Sequence, residues 1–366
     1  MVLHIAADDK FTAYTISQFS APEMMSRIVV IPYGGKYQAK PGKNVSIIQY
    51  RSQEFQTLLK TLDSYSGIVL HGIFWPFCED IIKAAQKHVK IAWYFWGGEI
   101  YSRNEVKLSF IAPITKFLYR LHGLRKSQIS PNAWQLPMDL YQRIDYCLTG
   151  EHEEYEFAKA YVHNSMDFIW YTCYSIEETI GSLKNERANG NNVLFCNSAA
   201  IENNMFDAAL WMRRRSYRKH LKNRKVIMPM GYGNPWIVNL MLKWGPMCFD
   251  QFEPLMTYMP LEEYNAMMLG CSTLILPYYA PAGQGNIITA MWLGMRVYIS
   301  EKSIAYNFFK RIGVKVYSLE SDFEKYGCDA VSDDEMEYNR KLLREMFSRE
   351  HVMQSAKNVV DILEGK

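Results

Sequence analysis

Short apolar runs alternate with amphipathic stretches along the whole chain, which is the pattern of parallel α/β architecture. In the first half, the runs at 2–6, 28–31, 45–50, 67–71, 91–96, 146–149 and 168–171 read as strands, with helical stretches at 52–65, 75–88 and 151–160. A polar segment at 181–192 is rich in Gly and Asn and lacks an apolar face, so a domain junction is expected there. Beyond it the alternation restarts with strands at 193–196, 225–230, 256–259, 273–277, 296–300 and 314–317. The intervening helices fall at 204–215, 235–244, 261–270, 287–293 and 304–312. Strands joined by helical crossovers in this way build a doubly wound, nucleotide-binding type of domain. The expectation is therefore two Rossmann-like domains, 1–185 and 190–366, facing across a cleft. The helical segment from Asp333 onward is a candidate to pack back on the first domain.

Composition narrows this picture. The chain has 366 residues, 49% hydrophobic and 22% charged, which excludes a disordered chain, a collagen-like repeat and a small disulfide scaffold. Such a length favours two cores over one. Aromatics reach 14%, and part of such a surplus lines clefts where a ring with a polar tip is useful. The net charge of +3 does not suggest nucleic-acid binding. The seven cysteines include no C-x-x-C pair and several lie in apolar runs, so buried reduced thiols and a cytoplasmic setting are expected. Residues 1–11 lack the basic and long apolar regions of a signal peptide and read as a first strand.

The chemistry is bounded first by what is missing. There is no G-x-G-x-x-G, no Walker A motif, no H-E-x-x-H and no Asp-x-Asp. No metal or other cofactor is expected, and phosphate handling falls to backbone amides, helix ends and neutral side chains. Three loops at strand carboxyl ends suit that task. In Pro281-Ala-Gly-Gln-Gly-Asn286, glycines let the backbone approach a ligand and a helix N-terminus follows, with Asn286 as a candidate N-cap. The second is Met230-Gly-Tyr-Gly-Asn-Pro235 and the third Cys196-Asn-Ser-Ala199. In the first half, His71, Glu99 and Asp9 also follow strands, and each is a candidate general base. Their structural alternatives are a buried hydrogen-bonded histidine and a helix-capping aspartate.

Two basic stretches complete the inventory. Segment 107–126 mixes large apolar residues with five cations and no acid, the composition of an interfacial segment on an anionic membrane. Segment 213–225 has eight Lys or Arg among thirteen residues and reads as a solvated face or a phosphate-headgroup patch.

Taken in order, Leu70-His-Gly72, Trp96-Gly-Gly-Glu-Ile-Tyr101, Asn197-Ser198, Val226-Ile-Met-Pro-Met-Gly-Tyr232, the helix at 260–271 and Gln284-Gly285 resemble bacterial glycosyltransferase family 56. The characterised activity of that family is TDP-N-acetylfucosamine:lipid II N-acetylfucosaminyl transfer. This chain departs from the pattern at Glu99, where the family has Asp, and at Cys196, where it has Gly. The resemblance implies a GT-B fold, metal-independent inversion at the anomeric carbon, a nucleotide-sugar donor held by the second domain and an acceptor met by the first. On this reading Asn197, Ser198, Gly231, Tyr232, Gln284, Gly285 and Asn286 hold the nucleotide and diphosphate, and Tyr258 and Tyr279 border the base and sugar. Glu99, His71 or Asp9 would deprotonate a hydroxyl on a polyprenyl-diphosphate-linked saccharide, with a TDP- or UDP-sugar as donor, at the cytoplasmic face of the inner membrane. A sugar-nucleotide epimerase or hydrolase, and a non-catalytic sugar-nucleotide-binding protein, are the alternatives.

Overall fold

The computed structural model describes residues 1–9, 11–32, 39–125 and 134–366. Its chain forms two compact units: Met1–Arg103, Pro131–Ser175 and Arg349–Lys366 in the first, Asn104–Ser130 and Ile176–Ser348 in the second. The polar segment expected as a junction is thus packed inside the second unit, where Ala188 N–H bonds Leu293 O and Trp292 Nε1 donates to Lys184 O. A polar composition does not require a free linker when the backbone and side-chain groups find partners. The last helix, Arg349–Glu364, joins the first unit, and the basic segment after residue 103 joins the second.

The first unit carries seven strands, β1 (Val2–Ala7), β2 (Ser26–Ile31), β3 (Val45–Ile47), β4 (Gly67–His71), β5 (Lys90–Tyr94), β6 (Tyr146–Thr149) and β7 (Asp167–Trp170), in the order β3-β2-β1-β4-β5-β6-β7. All adjacent pairs are parallel. Helices cover both faces of such a sheet, and the central strands are correspondingly apolar runs with every residue of β1 and β4 buried. Apolar residues of the last helix, Ala356, Val359, Val360 and Leu363, belong to the same core as Val2, Ile28, Val30 and Val69.

His4 is a fully buried polar residue beside that core, and its ring nitrogens are both satisfied. Ser26 donates its one hydroxyl proton to Met24 O at 2.9 Å, so its oxygen must accept from His4 Nε2 at 3.2 Å. His4 Nδ1 is then the acceptor for His71 Nε2 at 3.0 Å, and His71 Nδ1 accepts from Thr15 Oγ1 at 3.4 Å. The two imidazoles are neutral and share one tautomer, because burial lowers the pKa of both.

The second unit has six strands, β8 (Asn192–Phe195), β9 (Lys225–Pro229), β10 (Gln251–Leu255), β11 (Cys271–Leu276), β12 (Arg296–Ile299) and β13 (Tyr317–Ser318), in the order β10-β9-β8-β11-β12-β13. The direction of winding reverses between β8 and β11, as it does between β1 and β4, and ligands of doubly wound sheets bind outside the strand ends at that point. One strand is displaced from its expected position. The run at 256–259 is more apolar, yet the strand is Gln251–Leu255, with Pro254 inside it. Among the described residues only β9 pairs with it, and an edge strand tolerates a proline and polar residues. Residues 256–259 consequently become a loop at the carboxyl edge. All seven cysteines are buried free thiols.

Candidate functional site

The second unit gathers its candidate residues on the loops that follow β8, β9, β10 and β11. Gly233 adopts φ +118, and a Cβ there would lie 2.4 Å from Ala199 C, so only glycine lets these two loops meet. Their backbones are stitched together: Ala199 N–H donates to Tyr232 O at 3.0 Å, and Asn234 N–H donates to Ala199 O at 2.9 Å. A Cβ on Gly231 would fall 2.6 Å from the Thr257 carbonyl carbon, which places the loop after β10 directly against the loop after β9. The rings of Tyr232 and Tyr258 then meet edge to face at 6.4 Å, both solvent-exposed.

The loop after β11 closes the group. Gly283, at φ +68, is the N-cap of the helix Gln284–Trp292, and Ile287 N–H makes the first intrahelical bond, to Gly283 O. The helix therefore begins three residues before the expected start. Asn286 lies in its first turn and is not the cap, because Gly283 supplies the left-handed turn that ends the loop. A Cβ on Gly283 would lie 2.6 Å from Asn197 Nδ2 and 3.8 Å from Asn286 Nδ2, so these two amides flank the same turn. Asn286 Nδ2 also reaches Tyr264 Oη at 3.5 Å, and Gly285 faces Thr179. Ser198 Oγ donates to Asn197 Oδ1 at 3.4 Å, and Asn203 Nδ2 supports Ser198 through its carbonyl at 2.7 Å. The first-turn amides and the helix dipole favour an anion at this place, with no side-chain cation needed. Cys196 holds φ +65, the left-handed region, at the position where the family pattern has Gly.

Tyr279 is the residue the structure sets apart. It lines a cavity of about 540 Å³ with Pro113, Asp207, Trp211, Arg214 and Lys302, none of which belongs to the loops above.

In the first unit, Asp9 follows β1, His71 is the last residue of β4, and Glu99 follows β5. Asp9 Oδ1 accepts from Phe11 N–H at 2.8 Å, in the turn just ahead of the helix Thr12–Phe19, and its side chain is exposed. His71 has a pKa pushed down to about 3 by burial, and its one lone-pair nitrogen is taken by Thr15. Glu99 differs from both. Its Oε1 accepts from Ile73 N–H at 3.2 Å, Trp93 Nε1 at 3.2 Å and Trp96 N–H at 3.4 Å. Its Oε2 is buried and has no hydrogen-bond partner among the described residues. Burial lifts its pKa to about 7, against the three donors that lower it.

Glu154 is a carboxylate that sequence reading missed. It begins the helix His152–Val162 after β6, and Tyr101 Oη and Thr149 Oγ1 donate to it at 3.5 and 3.2 Å. Burial raises its pKa first and the nearby Glu99 charge adds to it. The signal was present in Thr149-Gly-Glu-His-Glu-Glu154, an acidic turn at a strand's carboxyl end. Among the described residues, no three His, Cys, Asp or Glu side chains are grouped to hold a metal ion.

The basic segments lie in the second unit. Pro113–Arg125 is a helix, and Lys126 falls outside the described residues. The Asp207 carboxylate caps it, accepting from Ile114 N–H at 2.9 Å and from Thr115 N–H and Oγ1 at 2.7 Å each. In 213–225, Arg218 pairs with Asp250, Arg224 with Asp329 and Lys225 with Glu253, so part of that run is an ordinary ion-paired face. No helix among the described residues is long and apolar enough to cross a membrane.

No family model matches this sequence, and no curated protein is similar to it in sequence. Solved structures do match its backbone. The E. coli trehalose-6-phosphate structure bound with UDP-2-fluoro glucose has a TM-score of 0.63 at 8% identity, over 100% of this chain and 99% of that one. Sucrose-phosphate synthase from Thermosynechococcus elongatus has a TM-score of 0.56 at 11% identity, over 100% and 99%. AviGT4, a glycosyltransferase involved in avilamycin A biosynthesis, has 0.54 at 11%, over 100% and 98%. The chain has the GT-B fold, two Rossmann-like α/β units.

Proposed function

We propose that the protein is an inverting glycosyltransferase that takes a deoxy-aminosugar or related hexose from a TDP- or UDP-sugar. Its acceptor is a polyprenyl-diphosphate-linked saccharide. The observation that carries the reading is the loop group of the second unit. It sits at the winding reversal of a GT-B fold, with Asn197, Gly283 and Asn286 around one helix N-terminus. The diphosphate is held by first-turn amides of Gln284–Trp292 and by the Asn197 and Asn286 amides. Its developing charge on departure is met by the same fixed dipoles. Tyr232 and Tyr258 border the nucleoside. The acceptor hydroxyl gives up its proton as it attacks, and Glu99 is the base of choice: its pKa lies near neutrality and one of its oxygens is uncommitted. His71 and Asp9 follow it: the one lone-pair nitrogen of His71 is taken by Thr15, and Asp9 is an exposed carboxylate at the turn before a helix. Tests with TDP- and UDP-sugars and a polyprenyl-diphosphate-linked acceptor should give acceptor-dependent transfer with inversion. Sugar-nucleotide turnover that ignores the acceptor would favour an epimerase or hydrolase, and no turnover across a broad panel would defeat both.

The lipid acceptor places the work at a membrane, and one face of the second unit suits it. Helices Pro113–Arg125 and Pro235–Cys248 share a groove of about 380 Å³ lined by Leu118, Leu121, Trp236, Leu240 and Lys243. Around it Phe117 is 66% and Met247 59% exposed, with Lys116, Arg120 and Lys243 alongside and no acid in either helix. An exposed ring and an exposed thioether among cations fit an anionic bilayer surface. Vesicles containing phosphatidylglycerol should bind the protein at low salt. Phe117→Asp with Lys116→Glu should reduce that binding at least about tenfold, near 1 kcal/mol per basic residue plus the lost ring. Unchanged flotation of this variant would remove the membrane from the proposal.

A further inference from the structure

We infer that the cavity holding Tyr279 is a second ligand site, built for a phosphorylated saccharide. Its volume of about 540 Å³ is within the usual range for small-molecule sites, and every residue lining it belongs to the second unit. Two cations stand at its rim. Lys302 Nζ lies 5.1 Å from the centre of the Tyr279 ring, and Arg214 Cζ lies 5.6 Å from that of Trp211. Neither forms an ion pair among the described residues, although two carboxylates, Asp207 and Glu320, line the same cavity.

Those carboxylates are committed elsewhere. Asp207 neutralises the start of the helix Pro113–Arg125, as described above. Glu320 accepts from Ser300 Oγ at 2.6 Å through Oε1 and from Glu301 N–H at 2.9 Å through Oε2. A carboxylate accepts about four hydrogen bonds, so lone pairs remain: one on Asp207 and two on Glu320. Tyr279 sits beside them, and burial together with both negative charges pushes its phenol up to about 12, which keeps it a donor. The wall therefore offers acceptors and one donor suited to hydroxyl groups, while the rim offers two cations without a counter-charge. A ligand that satisfies both carries several hydroxyls and a phosphate. A bare anion leaves the wall unused, and a neutral sugar leaves the cations unused.

The site takes Pro277 and Tyr279 from the loop after β11 and Asn204 from the end of the loop after β8, but none of the residues that hold the diphosphate or border the nucleoside in the proposed donor site, and its test reads binding alone. Isothermal titration would use a panel of hexose 1- and 6-phosphates, with the matching free hexoses and inorganic phosphate as controls. At least one hexose phosphate should bind about tenfold or more tightly than its free hexose and than inorganic phosphate. Arg214→Ala with Lys302→Ala, both on exposed side chains, should remove about tenfold or more of that affinity. UDP and TDP affinities should stay within about twofold in the same variant, a change under about 0.5 kcal/mol. Three results would overturn the inference: no hexose phosphate binds, the double variant binds it as well as the parent, or nucleotide affinity falls in parallel. The last would make the cavity part of the donor site. Loss of nucleotide binding in the parent protein would defeat the donor reading and leave this one standing.

Discussion

Glu99→Gln should lower the transfer rate by about 10²–10⁴-fold while leaving nucleoside diphosphate affinity unchanged. The base must be ionised, and burial sets its pKa near 7, so the parent rate should climb as pH rises through about 7. That rise should be absent from whatever activity the variant retains. Stability supplies an independent readout, and its sign follows from linkage. The folded-state pKa of about 7 lies above the ordinary 4.5, so the native state binds more protons between those values. The parent should therefore be most stable below about pH 4.5 as far as this group is concerned, and should lose about 3 kcal/mol as pH rises through 7. Glu99→Gln should remove that contribution; the slope that remains belongs to Glu154, whose pKa is raised as well, and to His4 and His71, whose lowered pKa values make stability rise with pH below about 6.5. Denaturant titrations at several pH values would check this. A variant with a flattened stability profile and an undiminished rate would make Glu99 a clamp for the turns at Ile73 and Trp96, and would return the base to His71 or Asp9.

Gly233→Ala should be strongly damaging to the loop group of the second unit. At φ +118 an L-residue is strained, and its Cβ would lie 2.4 Å from a backbone carbon of Ala199 that cannot move without breaking the stitched loops. Strain and overpacking each cost about 1–3 kcal/mol. The expected results are a loss of about 2–5 kcal/mol in urea unfolding and at least about tenfold weaker nucleoside diphosphate binding. Gly283→Ala provides the contrast. Its φ of +68 also strains an L-residue, but its methyl group meets only side-chain amides, Asn197 Nδ2 at 2.6 Å and Asn286 Nδ2 at 3.8 Å, so binding should suffer more relative to stability than in Gly233→Ala. Equal binding by the parent and both glycine variants would remove these loops from the donor site.

Much of this molecule can be read from the order of its residues. The strands VLHIAA at Val2–Ala7 and CSTLIL at Cys271–Leu276 are buried on both faces, so each is a predominantly apolar run, and such runs are conspicuous. Edge strands escaped for the opposite reason. Gln251–Leu255 is half-exposed and contains Pro254, while the more apolar stretch after it became a loop. Loop chemistry at the strand ends was also legible, because glycines and helix starts are local features. Local sequence could not say which loops meet. Tyr279 lies only four residues before Gly283, yet it faces Lys302 and Asp207, while Gly283 faces Asn197. Nor could it order three candidate bases that all lie at or beyond strand ends. Asp9, His71 and Glu99 are separated by what surrounds them: a helix start, a histidine–threonine chain, and an apolar pocket that leaves one oxygen unpaired. Periodicity is a property of neighbours along the chain, and the sequence determined the two sheets through it. Proton affinity and ligand shape depend on desolvation and on groups distant in sequence, so only the tertiary structure decided them.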